Sequence, residues 1–259
     1  MLSERQLRAW NELDLGPAWV LRRAPEQQGR IPQAADEPDP RPATEAQAPV
    51  QLVPARHAPG GDSWTQVRDE VSGCRLCGLC ESRSRTVFGS GREDARWMLV
   101  GEAPGAEEDR RGEPFVGQAG LLLDQMLASI GLTRQQDAFI TNVLKCRPPG
   151  NRNPEPTEAA TCAPYLHRQI ELLKPDLILV LGRFAVQSVL ATDAALAGMR
   201  RQVHHYPAAH GDIPVVCTYH PAYLLRNPTE KRKSWEDLCL AVDVAAGQRA
   251  RRAKGPSGG

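Results

Sequence analysis

Residues 96–109 read RWMLVGEAPGAEED, and the fold is decided by how this stretch divides. Its first part, residues 96–101, is a short unbroken apolar run, the pattern of a strand buried on both faces of a sheet. Its second part turns at Pro104 and Gly105 and carries Glu102, Glu107, Glu108 and Asp109. Many α/β proteins place a glycine loop here, whose backbone N–H groups cradle phosphate. An acidic turn repels phosphate, so the mouth of this strand holds something of different chemistry.

Three more short apolar runs read as buried strands: residues 138–142 (AFITN), 176–182 (DLILVLG) and 213–219 (IPVVCTY). Helical spacing separates them. Leu122, Leu123, Met126, Leu127 and Ile130 form one apolar face, and Cys162, Leu166, Ile170 and Leu173 form the next. Phe184, Val186 and Val189 lie on a third helix, and residues 235–244 on a last one. This alternation predicts an α/β fold with a parallel sheet covered on both faces.

Outside that pattern the composition changes. Residues 1–23 read as a short amphipathic segment broken at Gly16 and Pro17, with Trp10, Leu13, Leu15, Trp19 and Leu21 as its apolar set. Residues 24–62 are rich in Pro, Ala, Gln and acidic side chains and cannot offset their ordering entropy, so a disordered linker is expected. Residues 63–248 form the folded domain, and residues 249–259 a basic, then glycine-rich, disordered tail. With 32 Lys and Arg against 31 Asp and Glu, the net charge of +1 leaves any nucleic-acid surface to local clustering. No apolar run approaches the roughly 20 residues of a membrane span, and MLSERQLRAW lacks the apolar core of a signal peptide. A soluble cytoplasmic protein without membrane contact is expected, in which the seven cysteines serve as thiols or metal ligands rather than disulfides.

Ligands of open parallel sheets bind at the carboxyl ends of the strands. Glu102 follows the first strand, Asn142 ends the second and His220 follows the fourth. A bifunctional amide, an imidazole and an acidic turn suit a small polar ring with a mixed donor and acceptor edge, and Phe115 in GEPFVG can stack on such a ring. The cysteines form a second constellation. Cys74 and Cys77 make a C-x2-C, while Cys146 and Cys162 stand with fifteen residues between them. Four thiolates suit zinc or an iron–sulfur cluster, and spacing does not choose between them; Cys80 is a spare fifth. Arg83, Arg85, Lys145, Arg147 and Arg152 flank these loops, and Arg226, Lys231, Arg232 and Lys233 follow His220, a rim that neutralises backbone phosphates.

Together GEAPGAEED, GEPFVGQAG, FITNVLKCRPPGNRNP, LGRFA and TYHPAYLLR, with the cysteines around them, resemble the family 4 uracil-DNA glycosylases, over residues 74–244. The resemblance implies a three-layer α/β/α domain with a four-stranded parallel sheet, and a 4Fe-4S cluster on Cys74, Cys77, Cys146 and Cys162. It implies a monomer that flips uracil out of DNA and hydrolyses the N-glycosidic bond, leaving an abasic site. In that reading Asn142 bonds the N3–H and O4 edge, Phe115 stacks on the ring, Gly101 and Glu102 line the pocket, and His220 donates to O2 of the departing base. Other branches of the superfamily carry an Asp where Ala103 stands, so Glu102 or Glu108 is left to hold the attacking water; Glu108 alternatively crowds a C5 methyl. Leu224 or Leu225 is the wedge that fills the vacated stack, and Arg226 and Arg147 touch DNA. A relative that captures uracil-DNA covalently does so through a histidine absent from residues 143–161 here, so turnover is expected. Hypoxanthine is a further candidate base. The alternative function is a non-enzymatic iron–sulfur module that binds DNA or senses lesions; residues 1–23 either pack on the protein's own surface, the favoured reading, or dock on a repair or replication partner.

Overall fold

The computed structural model describes residues 63–253. The segments expected at 1–23 and 24–62, and residues 254–259 of the expected tail, lie outside the described residues. Helices α1 (Trp64–Gly73) and α2 (Leu79–Ser82) lead into β1 (Ser90–Gly91), β2 (Trp97–Gly101), α3 (Ala106–Arg111), α4 (Gln118–Ser129) and β3 (Ala138–Asn142). The second half runs α5 (Pro156–Leu173), β4 (Leu177–Leu181), α6 (Arg183–Leu190), α7 (Leu196–Met199), β5 (Val203–Ala208), β6 (Gly211–Thr218), α8 (Pro221–Arg226) and α9 (Lys231–Ala253). Helix α9 therefore continues past the boundary drawn at residue 248 and takes in the first part of the basic tail.

The sheet order is β1-β3-β2-β4-β6-β5. Strands β3, β2, β4 and β6 are parallel, as the four apolar runs require. The sheet is nevertheless six-stranded, not four-stranded, because β1 pairs antiparallel with β3 and β5 antiparallel with β6. Neither edge strand has an apolar run to announce it. Strand β1 is two residues long, and β5 reads VHHYPA with only Tyr206 fully buried. An edge strand exposed on one side does not need the continuous hydrophobicity that a central parallel strand does.

Alternate side chains of the central strands enter separate cores. Met98, Val100, Phe139, Ile178, Val180 and Val215 meet α1, α5 and α6 through Val71, Leu166, Ile170 and Val186. Trp97, Leu99, Ile140, Leu179, Leu181 and Val216 meet α4, α8 and α9 through Leu123, Leu127, Leu224 and Leu238. The period of two along a strand thus builds the expected three layers. It also leaves the carboxyl ends of four parallel strands side by side.

Candidate functional site

Strand pairing sets the first two site residues next to each other. Gly101 and Asn142 are register partners at the ends of β2 and β3, and the two chains stay bonded as they leave the sheet. The Val143 N–H donates to the Gly101 carbonyl at 2.9 Å and the Leu144 N–H to the Glu102 carbonyl at 3.1 Å. On the other side, the Gly182 N–H after β4 donates to the Thr218 carbonyl at 2.9 Å, which draws the end of β6 inward. Gly182 has φ 90°, and a β-carbon there would sit 2.9 Å from the His220 β-carbon, so glycine is required for the imidazole to come this close.

Asn142 and Phe115 pack against Gly101, and His220 joins them through the Phe115 ring. A β-carbon on Gly101 would lie 2.4 Å from Asn142 Oδ1 and 2.6 Å from Phe115 Cζ. The Phe115 and His220 rings stack with centroids 5.4 Å apart and planes 29° apart. Asn142 is buried, and its Oδ1 has no hydrogen-bond partner. Buried acceptors are almost always paired, so this oxygen marks where a donor belongs. His220 caps α8, with its Nδ1 accepting the Ala222 N–H at 3.1 Å. That bond places the proton of a neutral imidazole on Nε2, making Nε2–H a donor. Beside it, Tyr219 stacks on Tyr223 at 4.9 Å and lies 4.5 Å under the Arg200 guanidinium, which Asp237 holds at 2.7 Å.

The acidic turn is mostly bound to its own protein. Glu108 accepts from the Gly105 N–H at 3.1 Å, the Val116 N–H at 2.9 Å and the Gly117 N–H at 3.1 Å. Asp109, buried, takes the Ser84 N–H at 2.9 Å, and Glu107 pairs with Arg110 and Arg111. Water-holding or methyl-crowding by Glu108 has to compete with three backbone donors. Glu102 is half-buried at the end of β2.

The wedge residues are separated by the 100° between neighbours on a helix. Leu224 is packed into the core under α8, whereas Leu225 is 43% exposed and Arg226 is exposed beside it. Of the two leucines expected as the wedge, Leu225 is the one at the surface. Arg147 is half-exposed, its Nε donating to Asn151 Oδ1 at 2.7 Å.

Cys74, Cys77, Cys80, Cys146 and Cys162 line one cavity between α1, α2 and α5. Arg83 donates to Cys146 Sγ at 3.1 Å and to the Cys74 carbonyl at 2.7 Å, and the Lys145 N–H donates to Cys162 Sγ at 3.3 Å. Burial pushes the Cys77 and Cys146 thiols up and takes Cys162 to about 12. Lys145, expected on the phosphate rim, is instead buried, and desolvation lowers its amine to about 8. Its Nζ donates at 2.7 Å to each of Thr141 Oγ1, the Asn142 carbonyl and Gln169 Oε1, so all its protons are used. Arg152 is likewise committed, forking onto Glu158 at the start of α5.

The uracil DNA glycosylase superfamily model matches residues 88–240, which contain the whole pocket. A type-4 uracil-DNA glycosylase of Archaeoglobus fulgidus is 43% identical over 192 residues, 73% of this chain and 96% of that protein.

The chain belongs to the uracil DNA glycosylase superfamily, in its type-4 branch.

A type-4 enzyme of Thermotoga maritima is 42% identical over 161 residues, 62% of this chain and 82% of its own length. A type-5 uracil-DNA glycosylase of Thermus thermophilus is 32% identical over 216 residues, 75% of this chain and 93% of its own length. Within this glycosylase fold, the pocket residues named from the motifs are brought together. Around them, Lys145 reads as a basic rim residue and Gly182 as part of the LGRFA motif, while Arg134 stands in no motif.

Proposed function

We propose that this protein excises uracil from DNA by hydrolysing the N-glycosidic bond and leaves an abasic site. The observation that carries the reading is the unpartnered Asn142 Oδ1, packed close to Gly101 and the Phe115 ring and near a histidine whose proton is held on Nε2. Uracil offers what this oxygen lacks: N3–H donates to Oδ1, O4 accepts from the amide nitrogen, and the ring stacks on Phe115. Reaching a base in this way requires flipping it from the stack. As the bond breaks, charge gathers on uracil O2, and a preorganised Nε2–H aimed there stabilises the leaving anion. Glu102, at the end of β2, is the carboxylate assigned to the attacking water.

Leu225 is assigned to fill the vacated stack, with Arg226 and Arg147 on flanking phosphates. No lysine attacks the sugar in this scheme; the buried Lys145 amine is already shared among three oxygens. The test is uracil release from an oligonucleotide with a single uracil, against a thymine control, followed by alkali. Release of uracil alone, with strand breaks only after alkali, supports a monofunctional glycosylase. A protein that binds this DNA and releases nothing would favour the binding-module alternative.

The thiol-lined cavity fits a 4Fe-4S cluster on Cys74, Cys77, Cys146 and Cys162. Among the described residues, no three His, Cys, Asp or Glu side chains converge on one ion position. Four thiols suit zinc or an iron–sulfur cluster alike, and the cluster is assigned from the likeness of the cysteine motifs to the family 4 enzymes. When bound, such a cluster would serve structure rather than bond-making, with Cys74 and Cys77 after α1, Cys146, and Cys162 of α5 holding it. A Cys146→Ser protein is expected to lose most of its iron and its absorbance near 400 nm. Its melting temperature should fall by more than about 5 °C, since metal-binding energy is folding energy in such sites. Full iron content in that variant, carried by Cys80, would reassign the ligand set.

A further inference from the structure

Phe115 stands in an unusual backbone state for its residue type. Its φ is 54°, in the left-handed region that residues with a β-carbon adopt reluctantly, yet it is buried and its ring stacks on His220. Such conformations persist only when the surroundings dictate them. Two charged side chains, one on either side of this loop in sequence, do so here. Arg134, between α4 and β3, donates through Nη1 to the Pro114 carbonyl at 3.2 Å and through Nη2 to the Phe115 carbonyl at 2.9 Å. Its Nε is fixed by Asp124 Oδ1 at 2.6 Å. Glu108 takes the next two amides, Val116 N–H at 2.9 Å and Gly117 N–H at 3.1 Å. Gly120 completes the seat, because a β-carbon there would stand 1.7 Å from the Phe115 carbonyl oxygen.

We propose that Arg134 is a positioning residue for base recognition: with Glu108 opposite, it holds residues 114–117 so that Phe115 keeps its left-handed backbone and presents its ring to the base. The inference rests on the reading of this pocket as a uracil site. It adds a residue that touches no substrate and acts through the loop carbonyls. A guanidinium suits the task because its planar fork reaches two carbonyls while a third N–H stays on Asp124. Burial sharpens the dependence, since Arg134 has only 16% of its side chain exposed and water does not readily replace it on the carbonyls.

The test is a cycle of Arg134→Met, Phe115→Ala and the double variant, read in two ways. The first is single-turnover uracil release. Arg134→Met should slow it by about 10- to 100-fold, the range set by small misplacements of a reacting partner. In the Phe115→Ala background the same change should add less than about twofold, as expected when two residues act through one contact. The second reading does not need activity. The His220 ring protons feel the Phe115 ring current, and Arg134→Met should move their NMR shifts toward those of Phe115→Ala. Equal effects of Arg134→Met in both backgrounds, or unmoved His220 shifts, would overturn the proposal. If Arg134→Met does not fold, Arg134→Lys keeps the charge and loses the fork, and should give an intermediate shift. A parent protein that releases no uracil while the shifts move as described would sink the substrate reading and leave the clamp standing.

Discussion

An Asn142→Leu protein is expected to release uracil about 10⁴-fold more slowly than its parent, the penalty of presenting a substrate's polar edge to a site that cannot bond it. Leucine is close to asparagine in shape, so the change removes the amide without opening a void. The same substitution should raise stability. Asn142 Oδ1 is buried without a partner in the unliganded protein, and an unmet buried acceptor costs about 1–3 kcal/mol. Removing it is expected to lift the melting temperature by about 2–4 °C for each kcal/mol recovered. Opposite signs for activity and stability are the signature of a residue kept for its ligand rather than for its fold. Affinity for uracil-free duplex, which depends on phosphate contacts, should change by less than about threefold. A melting temperature that falls would mean the amide is already satisfied in the folded protein, and the base-reading role would lose its physical basis.

What the sequence made legible follows from what each pattern physically requires. The four parallel strands are buried on both faces, so each had to be an unbroken apolar run, and each was visible. Strands β1 and β5 lie at the edges, pair antiparallel and bury little, so no run was needed and none was there. Topology places the carboxyl ends of parallel strands together, the rule from which Glu102, Asn142 and His220 are read, whereas Gly101 comes only with the family motifs; the structure sets Asn142 against Gly101 and His220 against Gly182. Direction of a side chain was not legible. Lys145 reads as a basic rim residue beside Cys146, but its amine turns into the core between β3 and α5. Leu224 and Leu225 are equivalent as letters, and only the phase of α8 sends one inward and the other out. The acidity of residues 102–109 looked like chemistry for a ligand. In Glu108 and Asp109 it is largely chemistry for the chain's own N–H groups, which a linear reading cannot tell apart. Arg134 belongs to the same class, since its meaning lies in carbonyls nineteen and twenty residues away.

His220→Ala is the second large effect expected. Loss of one preorganised donor to a developing anion typically costs about 10²- to 10³-fold in turnover, and the loss should fall on the chemical step with binding of uracil-DNA little altered. A finer variant separates the donor from the side chain that carries it. The Ala222 N–H is what occupies Nδ1 and keeps the proton on Nε2. Ala222→Pro removes that N–H at a position directly after Pro221 in the first turn of α8, where proline's fixed φ is tolerated. The imidazole then loses the bond that selects its tautomer, and single-turnover uracil release should fall by about 5-fold, the equivalent of one hydrogen bond of about 1 kcal/mol. In a His220→Ala background the proline should have no further effect on that rate. Native release by Ala222→Pro would show that the tautomer is held by something other than the helix start. Native release by His220→Ala would remove the leaving-group donor from the mechanism and transfer the catalytic burden to Glu102 and its water.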